Sequence, residues 1–199
     1  MDFTLDKPFF LVTFHPVTLE KDSSKDQFAS LLSAFDQYPG HKFIFTGANA
    51  DTGGQVINQM QKDYQRMHPG QCKVFPSLGY LRYLSAMKLC EAVIGNSSSG
   101  MFEAPVLKIP TINIGDRQKG RIRINSIVDC DPSTESICSA LSMIFEESFQ
   151  ASLKTMKFPF EKPDTSKKIK KLLQKADLKE ILKKQFYDMD HKSKLKRDS

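Results

Sequence analysis

Short, mostly apolar runs alternate along this chain with longer stretches in which apolar residues recur every three or four positions. The runs fall at 9–14, 42–45, 72–75, 92–94, 111–114 and 127–128, and each has the length of a strand rather than a helix. The periodic stretches cover 25–37, where Phe28, Leu31, Leu32 and Phe35 share one face, then 54–67, 80–88, a helix opening at Ser99, and 134–145. Strands that are apolar on both of their alternating faces are buried on both sides, and strands separated by helices run parallel. The pattern therefore predicts an α/β fold: a doubly wound, Rossmann-like parallel sheet. Ligands of such sheets gather at the carboxyl ends of the strands, near the point where strand order reverses.

The strand ends carry the chemistry. After 92–94 the chain reads Gly95-Asn96-Ser97-Ser98-Ser99-Gly100-Met101-Phe102-Glu103-Ala104-Pro105. Three hydroxyls and a glycine stand where a helix starts, and a helix start offers unpaired N–H groups and partial positive charge to an anion. Glu103, one turn in, places a carboxylate at the same mouth, able to accept hydrogen bonds from sugar hydroxyls. No Gly-Lys-Ser/Thr follows and the spacing is not Gly-x-Gly-x-x-Gly, so neither a Walker loop nor a dinucleotide fingerprint is present. Ser and Asn in this place also serve as ordinary helix caps.

The next strand ends in Gly115, Asp116, Arg117, Gln118, Lys119, Gly120 and Arg121, a turn dense in phosphate-seeking groups. Lys119, Arg121 and Arg123 add positive charge there. Three further loops share the predicted edge: His15-Pro16 directly after the first strand, 46–51 with Asn49 after the second, and 77–79 with Leu78 after the third. Pro16 holds His15 in an extended, non-helical conformation.

Composition adds exclusions. The 199 residues are 40% hydrophobic, enough for a substantial core, with no run of about 18 apolar residues to span a bilayer. The acidic, mixed start has no secretory pattern, so a soluble, cytoplasmic protein is expected. Cys72, Cys90, Cys130 and Cys138 lack metal-ligand spacing and read as reduced core thiols; no metal is expected. The net charge of +6 is uneven: from Ala151 onward there are 15 Lys+Arg against 7 Asp+Glu, so the basicity belongs to the tail. Ile169, Leu172, Leu173, Leu178, Ile181 and Leu182 recur there at helical spacing. One face should pack and the lysine face should be solvated, rather than bind nucleic acid or a membrane. The expected organisation is a Rossmann-like domain over 1–150, a proline-containing linker over 151–163, lysine-rich helices over 164–190 packing back on the fold, and a disordered tail over 191–199.

The two segments Gly95–Pro105 and Pro110–Arg121 resemble the UDP-N-acetylglucosamine 2-epimerase family. The segment Thr13-Phe14-His15-Pro16-Val17-Thr18 and the later Phe186-Tyr187-Asp188 resemble its hydrolysing, sialic-acid-pathway branch. The similarity runs from about Phe9 to Asp188 and matches the C-terminal, nucleotide-holding half of a two-domain GT-B architecture. By this resemblance His15, Ser97 and Ser98 hold the diphosphate, Glu103 the ribose hydroxyls and Arg117 the nucleotide from the adjoining turn. Asn49 faces the ligand, and Leu78 lies near the base. Phe102 departs from the arginine of the non-hydrolysing branch.

The activity implied is conversion of UDP-N-acetylglucosamine to N-acetylmannosamine and UDP by elimination and water addition, with no cofactor. His15 would stabilise the leaving group, while the general acid and base come from the N-terminal half, in cis or in trans. Homo-oligomers are compatible with the resemblance. The alternatives are a catalytically incomplete nucleotide-sugar binding module, a GT-B glycosyltransferase domain, or an interaction protein using its basic tail.

Overall fold

In the computed structural model, which describes residues 3–17, 23–49, 52–160, 162–179 and 183, the six apolar runs are six strands. These are β1 (Phe9–Thr13), β2 (Lys42–Thr46), β3 (Cys72–Phe75), β4 (Ala92–Gly95), β5 (Thr111–Ile114) and β6 (Ile127–Cys130). Helices α1 (Ser23–Phe35), α2 (Thr52–Met67), α3 (Gly79–Leu89) and α4 (Ser99–Val106) connect the first five strands in turn. α5 (Thr134–Ile144), α6 (Glu147–Thr155) and α7 (Thr165–Lys175) follow β6.

All strand pairs are parallel, in the order β3-β2-β1-β4-β5-β6. The chain builds outward from β1 to β3, then crosses back to lay β4 on the other side of β1. Strand order thus reverses between β1 and β4, where Thr13 and Gly95 stand opposite each other at the carboxyl ends. That pair marks the crevice in which doubly wound sheets hold their ligands.

The period of two along each strand explains why apolar residues occupy both faces of the runs. Phe10, Val12, Phe43 and Phe45 point to one face, where they join Phe28, Leu31 and Phe35 of α1, Ile57 and Tyr64 of α2, and Ile137 and Leu141 of α5. Phe9, Leu11, Ile44 and Val93 point to the other, against Met87 of α3 and Ala104 of α4. The first face is strongly aromatic, with Phe35 stacked on Phe43 at 4.3 Å between ring centroids. Each buried phenylalanine contributes about 2 kcal/mol from the area it removes from water.

One expectation about the C-terminal part needs correction. The linker expected over 151–163 starts later, because α6 continues through Thr155 and buries Leu153. Its apolar residues, Phe149 and Leu153, are a single i, i+4 pair, too sparse for periodicity to reveal the helix. The chain divides into two units, Met1–Pro159 and Phe160–Ser199. In the second, α7 carries Ile169, Leu172 and Leu173 along one face, 51%, 70% and 68% exposed. Periodicity identifies an apolar face without specifying what covers it. Ile181, Leu182 and the 191–199 tail lie outside the described residues.

Candidate functional site

Asn96, the first residue after β4, is fully buried and organises the crevice. Its side chain clasps the backbone of His15: Oδ1 accepts from the His15 N–H and Nδ2 donates to the His15 carbonyl, both at 2.8 Å. Its own carbonyl accepts from the Arg117 guanidinium at 2.9 Å and from Gln118 Nε2 at 2.7 Å. One residue therefore ties together the loops after β1, β4 and β5. Gly95 makes this approach possible. Its φ is +133°, and a Cβ there would lie 2.0 Å from the Thr13 carbonyl oxygen. No side chain fits.

The serine turn follows directly. Gly100 sits so close to β5 that a Cβ would meet Thr111 Cγ2 at 2.5 Å, and Thr111 Oγ1 donates to its carbonyl at 2.9 Å. This seats the start of α4 against the sheet. Ser98 occupies the cap position, but its side chain caps nothing. Its φ of −65° and ψ of −18° are already helical, outside the extended geometry from which a cap hydroxyl reaches back to the helix. Among the described residues no hydrogen bond engages the N–H groups of Ser97 or Ser98. Half-buried hydroxyls and unengaged amides at a helix start are the equipment of an anion site.

His15 is half-buried at the crevice and is oriented from two sides. Asn96 fixes its backbone, and the Asn49 N–H donates to its Nδ1 at 3.3 Å. An Nδ1 that accepts leaves the proton of the neutral ring on Nε2, so the imidazole is held in the donor tautomer on that side. Asn49 thus acts on the site through its main chain, while its residue is exposed.

A cleft of about 320 Å³ opens beside Thr13 and Thr46, with Leu78, Tyr80, Ser97 and Ser99 on its walls. Leu78 contributes mainly to the core beneath and is 7% exposed, whereas Tyr80, two residues on, stands 80% exposed at the rim. Tyr83 of α3 reaches the floor, with its hydroxyl 2.7 Å from Ser99 Oγ and 3.3 Å from Thr13 Oγ1. Burial pushes the Tyr83 phenol above its ordinary range; the hydrogen bonds to Ser99 and Thr13 oppose this, and the nearby Glu103 charge adds to it. Glu103 is exposed on α4, one turn beyond Ser99.

The structure brings His15, Ser97, Asn49 and Arg117 together through Asn96 and His15, and places Leu78 and Ser97 on one cleft. Three residues of the site were not singled out from the sequence as parts of it: Thr13, Tyr80 and Tyr83. Thr13 is hidden in an apolar strand, and the two tyrosines look like ordinary positions of an amphipathic helix. Only Tyr80 could have been found, since it follows Leu78 and Gly79 at a strand-to-helix turn on the ligand edge.

The turn after β5 differs from expectation at Arg123. It pairs with Asp129 at 2.7 Å and donates to the carbonyls of Gln118 and Arg121, so it braces the turn. Arg121 lies over the Phe102 ring at 5.4 Å. A larger cavity of about 490 Å³ adjoins this turn between Lys119, Asp116 and Asp131, and Arg123 on its wall is already neutralised. Cys72, Cys90 and Cys130 are pushed up to about 12 by burial, which keeps them protonated and unreactive at neutral pH. Among the described residues no group of three His, Cys, Asp or Glu is placed to hold a metal, and no helix is long and apolar enough to cross a membrane.

Sheet order and crevice together define a Rossmann-like lobe of the kind that is paired in GT-B proteins. A family model described as UDP-N-acetylglucosamine 2-epimerase matches residues 1–174, and the chain belongs to that family. It is 44% identical over 131 residues to a Campylobacter jejuni GDP/UDP-N,N'-diacetylbacillosamine 2-epimerase (hydrolyzing), covering 66% of this chain and 34% of the relative. It is 39% identical over 160 residues to the Escherichia coli polysialic acid biosynthesis protein P7, covering 80% and 40%. The chain thus spans about a third to two fifths of the length of these curated relatives. Its fold matches the crystal structure of the Neisseria meningitidis UDP-GlcNAc 2-epimerase bound to UDP-GlcNAc with a TM-score of 0.69 at 17% identity, over 85% of this chain and 45% of that one.

Proposed function

We propose that this chain is the UDP-holding half of a hydrolysing UDP-N-acetylglucosamine 2-epimerase. The observation that carries the reading is the Asn96 junction, which binds the His15, Ser97–Ser98 and Arg117 segments into one crevice at the β1/β4 reversal. In this reading the amides and hydroxyls of Ser97 and Ser98, with His15 Nε2–H, hold the diphosphate. Arg117, fixed through one of its five donors, presents the others to the nucleotide. Glu103 accepts from the ribose hydroxyls, and Tyr80 offers an exposed ring for the base.

In the reaction the C1–O bond to UDP breaks as the C2 proton is removed, giving a glycal intermediate. Water then adds at C1 and a proton returns to C2 on the opposite face, giving N-acetylmannosamine. Negative charge grows on the departing diphosphate, and donors already aimed at it lower the barrier. The carboxylates that move the C2 proton come from the other half of the enzyme. The Campylobacter relative's name supports a hydrolysing 2-epimerase, and the Escherichia coli relative's name supports a place in polysialic acid biosynthesis. The Campylobacter relative favours a second reading, in which the sugar is N,N'-diacetylbacillosamine.

Calorimetry with UDP, uridine and pyrophosphate tests the binding role. UDP should bind and Glu103→Gln should weaken UDP more than pyrophosphate; equal losses would remove the ribose role, and no UDP binding would remove the proposal. Complemented with an N-terminal half, the chain should release UDP and a free sugar from UDP-GlcNAc. Mass analysis of turnover with UDP-N,N'-diacetylbacillosamine as competitor separates the two sugars. Transfer to an added acceptor instead would indicate a glycosyltransferase.

A further inference from the structure

We infer that a one-way chain of hydroxyls, running Thr46, Thr13, Tyr83, Ser99, Ser97, aims the Ser97 proton into the cleft and makes Tyr83 a positioning residue for the diphosphate. The inference rests on the reading of this cleft as the UDP site. Its links are short side-chain contacts: Thr46 to Thr13 at 2.6 Å, Thr13 to Tyr83 at 3.3 Å, Tyr83 to Ser99 at 2.7 Å and Ser99 to Ser97 at 3.1 Å.

The direction follows from counting protons, since each hydroxyl has one hydrogen to donate. Ser99 Oγ donates to Ser97 Oγ, so at the Tyr83 contact Ser99 accepts. Tyr83 has then committed its hydrogen to Ser99, and at the next contact Thr13 donates to Tyr83. Thr13 in turn accepts from Thr46, whose single hydrogen is shared between Thr13 Oγ1 at 2.6 Å and the Val12 carbonyl at 3.4 Å. At the far end Ser97 Oγ accepts twice, from the Ser99 hydroxyl at 3.1 Å and from the Ser99 N–H at 3.3 Å. Its acceptor capacity is filled from within the protein, and among the described residues nothing receives its own hydrogen. That hydrogen faces the cleft that Ser97 lines.

The consequence is chemical selectivity. A hydroxyl free to rotate could accept from a ligand as readily as donate to it; one that already accepts two hydrogen bonds can only donate. An anion is the ligand that benefits. The buried Tyr83 phenol stays protonated at neutral pH and keeps the chain intact. Hydrogen bonds in a series polarise one another, so the last donor is stronger than an isolated serine.

The test is a double-mutant cycle read by calorimetry on the whole chain, with UDP, pyrophosphate and uridine as probes and thermal melts to confirm folding. Tyr83→Phe keeps the ring and removes the link. It should weaken UDP and pyrophosphate by about three- to tenfold, the range for one hydrogen bond to an anion, and leave uridine unchanged. In a Ser97→Ala background the same substitution should add nothing, because the proton it aims is gone. Equal affinity of Tyr83→Phe and parent for UDP overturns the inference and leaves the UDP site standing. So does the same loss in both backgrounds, or an equal loss for uridine. A parent that binds neither UDP nor pyrophosphate overturns both. Should Tyr83→Phe fail to fold, Thr13→Val cuts the chain one link earlier, with a smaller loss expected in the same direction.

Discussion

After β4 the chain presents Ser97, Ser98 and Ser99; after β5 it presents Arg117, Lys119, Arg121 and Arg123. The second turn has the stronger charges, yet most of them are engaged within the protein: Arg123 with Asp129, Arg121 with the Phe102 ring, and Arg117 partly with Asn96. The serine turn has no formal charge, but its donors are left over, because Ser98 caps nothing and Ser97 accepts rather than donates internally. Charge density along a sequence is therefore a poor guide to which donors stay uncommitted for an anion. The partners each donor already has within the fold, and the direction they fix, are a better one.

The sharpest way to test this contrast is Asn96→Ala. It removes both clasps on the His15 backbone and leaves that N–H and carbonyl without their partner, while the bonds from Arg117 and Gln118 to the residue-96 main-chain carbonyl are retained. A loss of about 2–3 kcal/mol in stability by urea unfolding is expected, with UDP affinity reduced more than about tenfold. If affinity instead follows the retained Arg117 contact and hardly changes, the serine turn is not the dominant half.

Ser98→Ala is milder. It should weaken UDP by about 1 kcal/mol, one hydrogen bond, with the unfolding midpoint unmoved, since the hydroxyl does no capping. A matching loss of stability would return Ser98 to the role of a helix cap. The smallest effect on binding is expected of Arg123→Ala. The Arg123–Asp129 pair is partly exposed, so its removal should cost under about 1 kcal/mol of stability and change UDP affinity less than about twofold. A large affinity loss would show that the basic turn contributes through its charge after all.

Much of this was legible in the residues. Short runs such as 9–14 and 42–45 read as strands covered on both faces, and Gly95 to Gly100 reads as a helix start left open to an anion. The carboxyl-edge rule then gathers His15, Asn49 and Leu78 at the same place. α6 escaped because a helix held by two apolar residues has almost no periodic signal. Arg123 was misjudged because a cation in a turn looks the same whether or not a carboxylate waits on the next strand.

The sequence by itself determined the strand and helix periods, the glycines that let main chains touch, and the side chains available at each strand end, because these depend on neighbours a few residues away. Only the tertiary structure decided which of those side chains are committed and which are left to act. Asn96 meets His15 across 81 residues and Tyr83 meets Thr13 across 70, and a hydroxyl's direction depends on every partner it has already accepted.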